Sequence, residues 1–137
     1  MNRCAPSLFA LALACAGTLA TLAPVPASAQ AALQRKFTKS TLRGKILFGN
    51  PPAITLNGTV MALAPGFRVH STTNLLVLPS RLVGGTYTVN YTLDHQDRVY
   101  EVWILTDAEV ANKPWPTTTA QAQSWTFDAT SQTWTKS

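Results

Sequence analysis

Thr86-Tyr87-Thr88-Val89-Asn90-Tyr91-Thr92-Leu93, then Asp94-His95-Gln96-Asp97, then Arg98-Val99-Tyr100-Glu101-Val102-Trp103-Ile104-Leu105 is the stretch that decides the fold. Tyr87, Val89, Tyr91 and Leu93 alternate with Thr and Asn, the period of two that sends successive side chains to opposite faces of a strand. Aromatic and β-branched residues fill both runs, as a pleated, half-buried surface favours. The short polar connection Asp94–Asp97 predicts an antiparallel return. Setting Leu93 against Arg98 puts Tyr91 opposite Tyr100, Val89 opposite Val102 and Tyr87 opposite Ile104. Val99, Glu101, Trp103 and Leu105 then share the other face with Thr92, Asn90 and Thr88. Trp103 and Leu105 are too apolar to stand side by side in water, so this pairing predicts a cover over them.

Towards the N-terminus, Thr41 to Phe48 alternates in the same sense. Leu42, Gly44, Ile46 and Phe48 fall on one face, Arg43 and Lys45 on the other. Gly49-Asn50-Pro51-Pro52 stops that strand, because proline cannot donate to a ladder. Ala53 to Leu56 is the next strand, and Asn57-Gly58 follows it directly. This pair tolerates the positive φ of a type I′ turn, which sets Leu56 against Thr59 and Ile54 against Met61. Ala64-Pro65-Gly66 predicts a further turn. Beyond it Phe67 and Val69 alternate with Arg68 and His70, and Leu75 to Leu78 is an apolar run of strand length closed by Pro79.

Towards the C-terminus, Thr106-Asp107-Ala108-Glu109 has the Thr-x-x-Glu pattern of a capping box and predicts a short helix from Asp107 to about Asn112. Lys113-Pro114-Trp115-Pro116 ends it, and Thr117 to Gln123 reads as a polar linker. Trp125-Thr126-Phe127 and Thr133-Trp134-Thr135 flank a short connection and predict a hairpin with Phe127 opposite Trp134. That segment resembles the second hairpin of the IgG-binding domain of protein G, a likeness of turn and strand residues that implies no IgG binding. An isolated hairpin is marginal in water, so it should dock, the Trp103–Leu105 face being the expected site.

The leader supplies the compartment. Arg3, the apolar run Leu8 to Ala14, the breakers Pro24 and Pro26, and the small-x-small site Ala27-Ser28-Ala29 predict a signal peptide cleaved after Ala29. The run to Ala23 is Ala-rich and falls short of the ~20 strongly apolar residues a spanning helix needs, so no transmembrane span is expected in the mature chain. Cys4 and Cys15 both lie in this leader, so the mature chain has no disulfide, thiolate nucleophile or cysteine metal site. Ala12-Leu13-Ala14-Cys15 resembles a lipoprotein processing box with Ala12 in place of the usual Leu, which leaves lipidation of Cys15 as the alternative. Removing Arg3 leaves ten basic and six acidic side chains, a net charge of +4. All acids fall at or after Asp94, and most of the basic residues before it. Such asymmetry suits anionic partners, or simply two halves that face each other in the fold.

The expected organisation is a signal peptide (1–29), a flexible basic arm (30–40), a small β-barrel domain (41–106), a short helix and linker (107–123) and an aromatic hairpin tail (124–136). Strands at this spacing predict an all-β protein with a small five- to six-stranded barrel. Leu-Arg-Gly-Lys-Ile (42–46), Ile-Thr-Leu-Asn-Gly (54–58), Leu-Ala-Pro-Gly-Phe-Arg-Val (63–69), Leu-Val-Gly-Gly-Thr-Tyr-Thr-Val (82–89) and Val-Tyr-Glu-Val-Trp-Ile-Leu-Thr (99–106) together resemble small exported bacterial proteins with an OB-like barrel domain. The resemblance implies export and a barrel, and it brings no catalytic residues.

The chain offers little catalytic chemistry. It has no Gly-x-Ser-x-Gly elbow and no His-Glu-x-x-His. His95 sits in an Asp-rich turn, where such residues serve the turn itself. Glu101 is the one acid expected within a strand, without the second carboxylate a glycosidase needs. No cofactor, metal or catalytic residue is expected. The expected partner is an envelope component or a protein in the periplasm or outside the cell, not a nucleic acid. The candidate contact residues are Arg43, Lys45, Arg68, His70, Trp103, Trp125 and Trp134, with a protein interface on the Trp103 face as the alternative and a hydrolase using Glu101 or His70 as the remote one.

Overall fold

Alternation becomes pairing through most of the chain. The computed structural model describes residues 34–50 and 53–137. The expected leader with its two cysteines, the expected cleavage site and the Pro51-Pro52 strand stop lie outside the described residues. In chain order the elements are β1 (Leu42–Phe48), β2 (Ile54–Leu56), β3 (Thr59–Met61), β4 (Leu63–His70), β5 (Leu76–Val77), β6 (Thr86–Leu93), β7 (Val99–Ile104), α1 (Asp107–Ala111), α2 (Thr119–Ser124), β8 (Thr126–Asp128) and β9 (Thr133–Thr135). The protein is mostly β, with one seven-stranded mixed sheet ordered β3-β2-β1-β6-β7-β4-β5 and a separate β8-β9 hairpin.

The Asn57-Gly58 turn forms as expected. Both residues have positive φ, 51° and 83°, and Leu56 pairs with Thr59 and Ile54 with Met61. The strands after it depart from the simple hairpin reading. Ala64-Pro65-Gly66 is not a turn between strands but lies inside β4. Leu63 pairs with Val99 and Arg68 with Glu101, so β4 advances further than β7 between the same two rungs. The surplus is a bulge, where Pro65 needs no ladder donor and Gly66 takes φ +79°. β4 then runs parallel to β7, a non-sequential pairing that local patterns do not encode.

Ala62 alone separates β3 from β4, yet β3 is an edge of the sheet and β4 lies five positions away. In a flat sheet that distance would be about 24 Å, at ~4.8 Å per strand. The step from Met61 to Leu63 reaches only ~7 Å. The sheet therefore coils, and β3 and β4 are two halves of one strand bent at Ala62. Val99 N–H donates to the Ala62 carbonyl at 2.9 Å, holding the bend against β7.

The β6–β7 register also differs from the simple pairing. Val89 lies opposite Ile104 and Tyr91 opposite Val102, with a shift between Thr92 and Leu93 that brings Leu93 to Val99. The parity of Val102 and Ile104 is kept, so both remain in the core. At the turn end the parity inverts. Val99, expected outside, is fully buried, and Tyr100, expected inside, is 37% exposed. The turn explains the gain. Asp94 Oδ1 accepts from the backbone N–H of Gln96 and of Arg98, and Asp97 adopts φ +57°. That tightens the connection and leaves an extra residue to bulge out of β7.

The core is one cluster: Leu42, Ile46, Phe48, Ile54, Leu56, Val69, Val89, Tyr91, Val102 and Ile104 on the inner face, extended by Phe37, Trp115 and Trp134 from outside the sheet. Contacts join the described residues into one unit. The expectation of a flexible arm does not hold for its described part, because Arg35 and Phe37 are both buried. Helix α1 carries the expected capping box, with Thr106 N–H donating to Glu109 Oε2 at 2.9 Å and Glu109 N–H to Thr106 Oγ1 at 3.3 Å. The polar linker contains a second helix, α2, whose N-cap is Thr118. Phe127 stands opposite Trp134 as the hairpin pattern requires.

Candidate functional site

The outer face of the sheet assembles residues that are far apart in sequence. Register places Arg43, Asn90, Trp103 and His70 side by side across β1, β6, β7 and β4. The adjacent rung holds Thr92, Glu101 and Arg68. His70 Nε2 and Glu101 Oε1 are 2.7 Å apart, and an Arg68 guanidinium nitrogen lies 3.7 Å from the same oxygen. The His70 ring stacks on Trp103 with centroids 5.5 Å apart and 13° between planes. Arg68 also rests over the Tyr100 ring that the bulge expels.

The chain itself covers Trp103. Phe37 meets it edge-on at 5.5 Å and meets Trp115 edge-on at 5.7 Å. Gln132 of the hairpin grips the Phe37 backbone, accepting from its N–H at 2.7 Å and donating to its carbonyl at 3.3 Å. The hairpin therefore docks one layer further out than expected, with Phe127 and Trp134 against Trp115. Phe37, read as part of a free arm, is the residue that satisfies the Trp103 face.

Arg43 is spent inside the fold. Its Nε donates to Asn90 Oδ1 at 3.1 Å, and its terminal nitrogens donate to the carbonyls of Asn112 at 2.6 Å and Glu109 at 3.1 Å. A cation here suits the carbonyl end of α1: it caps the Asn112 carbonyl and adds a second donor to the Glu109 carbonyl, which also accepts from the Asn112 N–H at 3.2 Å. Burial lowers the guanidinium pKa to about 10, with the Glu109 charge opposing. Arg35 binds at the other end of α1, to the capping-box carboxylate and to carbonyls outside the helix. It donates from Nε to Glu109 Oε1 at 2.8 Å, pairs with Glu109 Oε2, and donates to the carbonyls of Ile104 at 2.7 Å and Ser71 at 2.9 Å. Burial pushes the Glu109 carboxyl up, but the bonds from Arg35 and Thr106 outweigh it and hold the group below its ordinary value.

Where the tail meets the sheet, a groove of about 620 Å³ opens between Arg43, Lys113, Trp115, Gln121, Trp125 and Lys136. Arg43 packs over the Trp115 ring at 4.8 Å, and the Lys136 ammonium lies 5.2 Å from the centre of the Trp125 ring. Gln121 is fixed by accepting from the Thr117 N–H at 2.9 Å. The lining contains no carboxylate. Lys113 and Lys136 are exposed, and Trp125 is half-buried with part of its surface free. Such walls attract an anion and offer one aromatic surface for stacking.

Of the residues singled out from sequence, Arg43 and Trp125 meet in this groove. Trp134 is 3% exposed and belongs to the core. Trp103 and His70 lie in the covered row, Arg68 is exposed beside it, and Lys45 is exposed next to the Asn57 turn, whose side chain accepts from the Lys45 N–H. Sequence reasoning missed Lys113 and Lys136. The signal was their position, each within two residues of an aromatic-strand or Trp-Pro motif, but Lys113 read only as part of the stretch that ends the helix and Lys136 carried no reading. No family model, curated protein or solved structure matches the chain.

Proposed function

We propose that this is an exported, non-enzymatic binding module that holds an anionic envelope component in the Trp125 groove. The observation that carries the reading is the groove's lining: the exposed Lys113 and Lys136 flank Trp125, Arg43 adds only its charge because its donors are engaged in the fold, and no acid is among the lining residues. An ammonium on each rim suits repeated carboxylates or phosphates, and a Trp face suits the apolar side of a sugar ring, so an anionic glycan fits best. Export rests on the leader pattern, with the periplasm or the exterior as the destination.

The proposal includes the OB-like barrel and the likeness to small exported bacterial proteins of that type. Counting β3–β4 as one bent strand, and setting aside the two-residue edge strand β5, leaves five: β1, β2, β3–β4, β6 and β7. Their neighbours then run first-second-third-fifth-fourth and back to the first, and the third and fifth are the parallel pair. This supports a partly open Greek-key barrel of the OB kind, a fold that often binds sugars or nucleic acid. Fold analogy lends no specific ligand. An accessory role through the Trp103 face has less support, since Phe37 occupies that face.

The test is binding of the mature chain to polygalacturonate, with neutral dextran as control. The expected result is binding that weakens steeply with salt and is lost by about tenfold or more in Lys113→Glu/Lys136→Glu, since each reversal removes an attraction and adds a repulsion. Equal binding to neutral dextran, or an unchanged affinity in the double variant, would overturn the reading.

A further inference from the structure

A second cavity, of about 400 Å³, opens between the packed arm, the β6–β7 turn and α2, and shares no lining residue with the groove. Its size falls in the range of small-ligand sites. Its floor is apolar: Leu42, Leu93 and Ala122 line it, and Leu42 and Ala122 are almost fully buried. Its rim carries Lys39 on one element and Asp94 and Asp97 on another.

The two acids differ in availability. Asp94 Oδ2 receives Arg98 Nε at 2.8 Å, and Oδ1 receives the Gln96 and Arg98 backbone N–H groups, so that carboxylate is fully engaged by its own turn. The Asp97 carboxylate and the Lys39 ammonium have no hydrogen-bond or ion-pair partner among the described residues, and both residues are exposed. The cavity thus presents one free cation and one free anion around an apolar floor.

We infer that this cavity binds a small zwitterion with an apolar side chain, a free amino acid or dipeptide. Lys39 receives the ligand carboxylate, Asp97 the ligand ammonium, and the Leu42–Leu93–Ala122 floor the side chain. A purely anionic ligand would meet Asp97, a purely cationic one Lys39, and an uncharged apolar one would leave both charges unanswered. The inference stands apart from the groove and from the glycan reading.

The experiment titrates the mature chain with leucyl-leucine and with its N-acetylated and C-amidated forms, followed by NMR shifts of the cavity residues. The parent dipeptide is expected to bind with each blocked form weaker by about fivefold, the scale of one exposed ion pair. In Lys39→Gln the C-terminal amide should bind as well as the free acid, while the N-acetyl penalty persists. In Asp97→Asn the reverse should hold. Asp97 has φ +57°, which Asn tolerates well, so this variant should fold. No shift with any of the three ligands overturns the inference. So does binding in which blocking either end makes no difference, because the site then recognises only apolar surface.

Discussion

Arg43 shows how one side chain can change its meaning between sequence and structure. By alternation it belongs on an outward strand face beside Lys45, where a basic pair reads as a contact surface. In the folded chain it is 9% exposed and its donors close the C-terminal end of α1. What the pattern lacked was the tail, which lies more than 60 residues away along the chain. Arg43→Lys keeps the charge but loses the planar fork, so urea denaturation should show a loss of about 1–3 kcal/mol. Glu109 gives a pH prediction. Its folded pKa is depressed, so its contribution is present above the ordinary carboxyl value of 4.5 and is lost as pH falls through the folded value. Glu109→Gln should be less stable at neutral pH by about 1–3 kcal/mol, and the gap to the parent should narrow in titrations taken below pH 4.5. A gap that stays constant with pH would contradict the Arg35–Glu109 account.

Elements with strong local chemistry were legible. The Asn57-Gly58 turn, the Thr106–Glu109 capping box and the Phe127–Trp134 hairpin each need only neighbouring residues, and each stands where its pattern put it. The misses have three different causes. Pro65-Gly66 has turn chemistry, but the parallel β7 partner stretches it into a bulged strand. Tyr100 has core chemistry, but the tight Asp94 turn leaves β7 one residue in surplus, and that residue is expelled. α2 escaped because Thr118 to Ser124 has no apolar period, only a cap and good helix formers. The β1–β2 region allows a graded test. A Cβ at Gly58 meets nothing but needs φ +83°, so Gly58→Ala should cost about 1 kcal/mol. A Cβ at Gly44 would lie 2.8 Å from Asn57 Oδ1, which already holds the Lys45 N–H at 2.8 Å. Gly44→Ala should therefore cost more, about 1–3 kcal/mol, measured in the same denaturation series.

At the scale of the whole molecule, the question posed by Trp103 is answered by the two ends of the described chain acting together. The arm brings Phe37 to Trp103, the tail brings Trp115 to Phe37, and Gln132 locks them. The sequence announced that a cover was needed but not which segment would supply it, because Phe37 stands alone in a basic stretch with no period. Phe37→Ala should destabilise by about 3–5 kcal/mol, as buried aromatic truncations do, and should increase the exposure of Trp103 to an aqueous quencher. The same docking forms the groove, since Arg43 comes from the sheet and Trp125 and Lys136 from the tail. The most direct test of the groove's role is an NMR titration of the chain from Gln30 onward with a short polygalacturonate, following the indole N–H signals. The account predicts that the Trp125 signal and the Lys113 and Lys136 amides move together while Trp134, 3% exposed, stays in place. Shifts that leave Trp125 unmoved and gather instead around Arg68 or Leu75–Leu78 would contradict it.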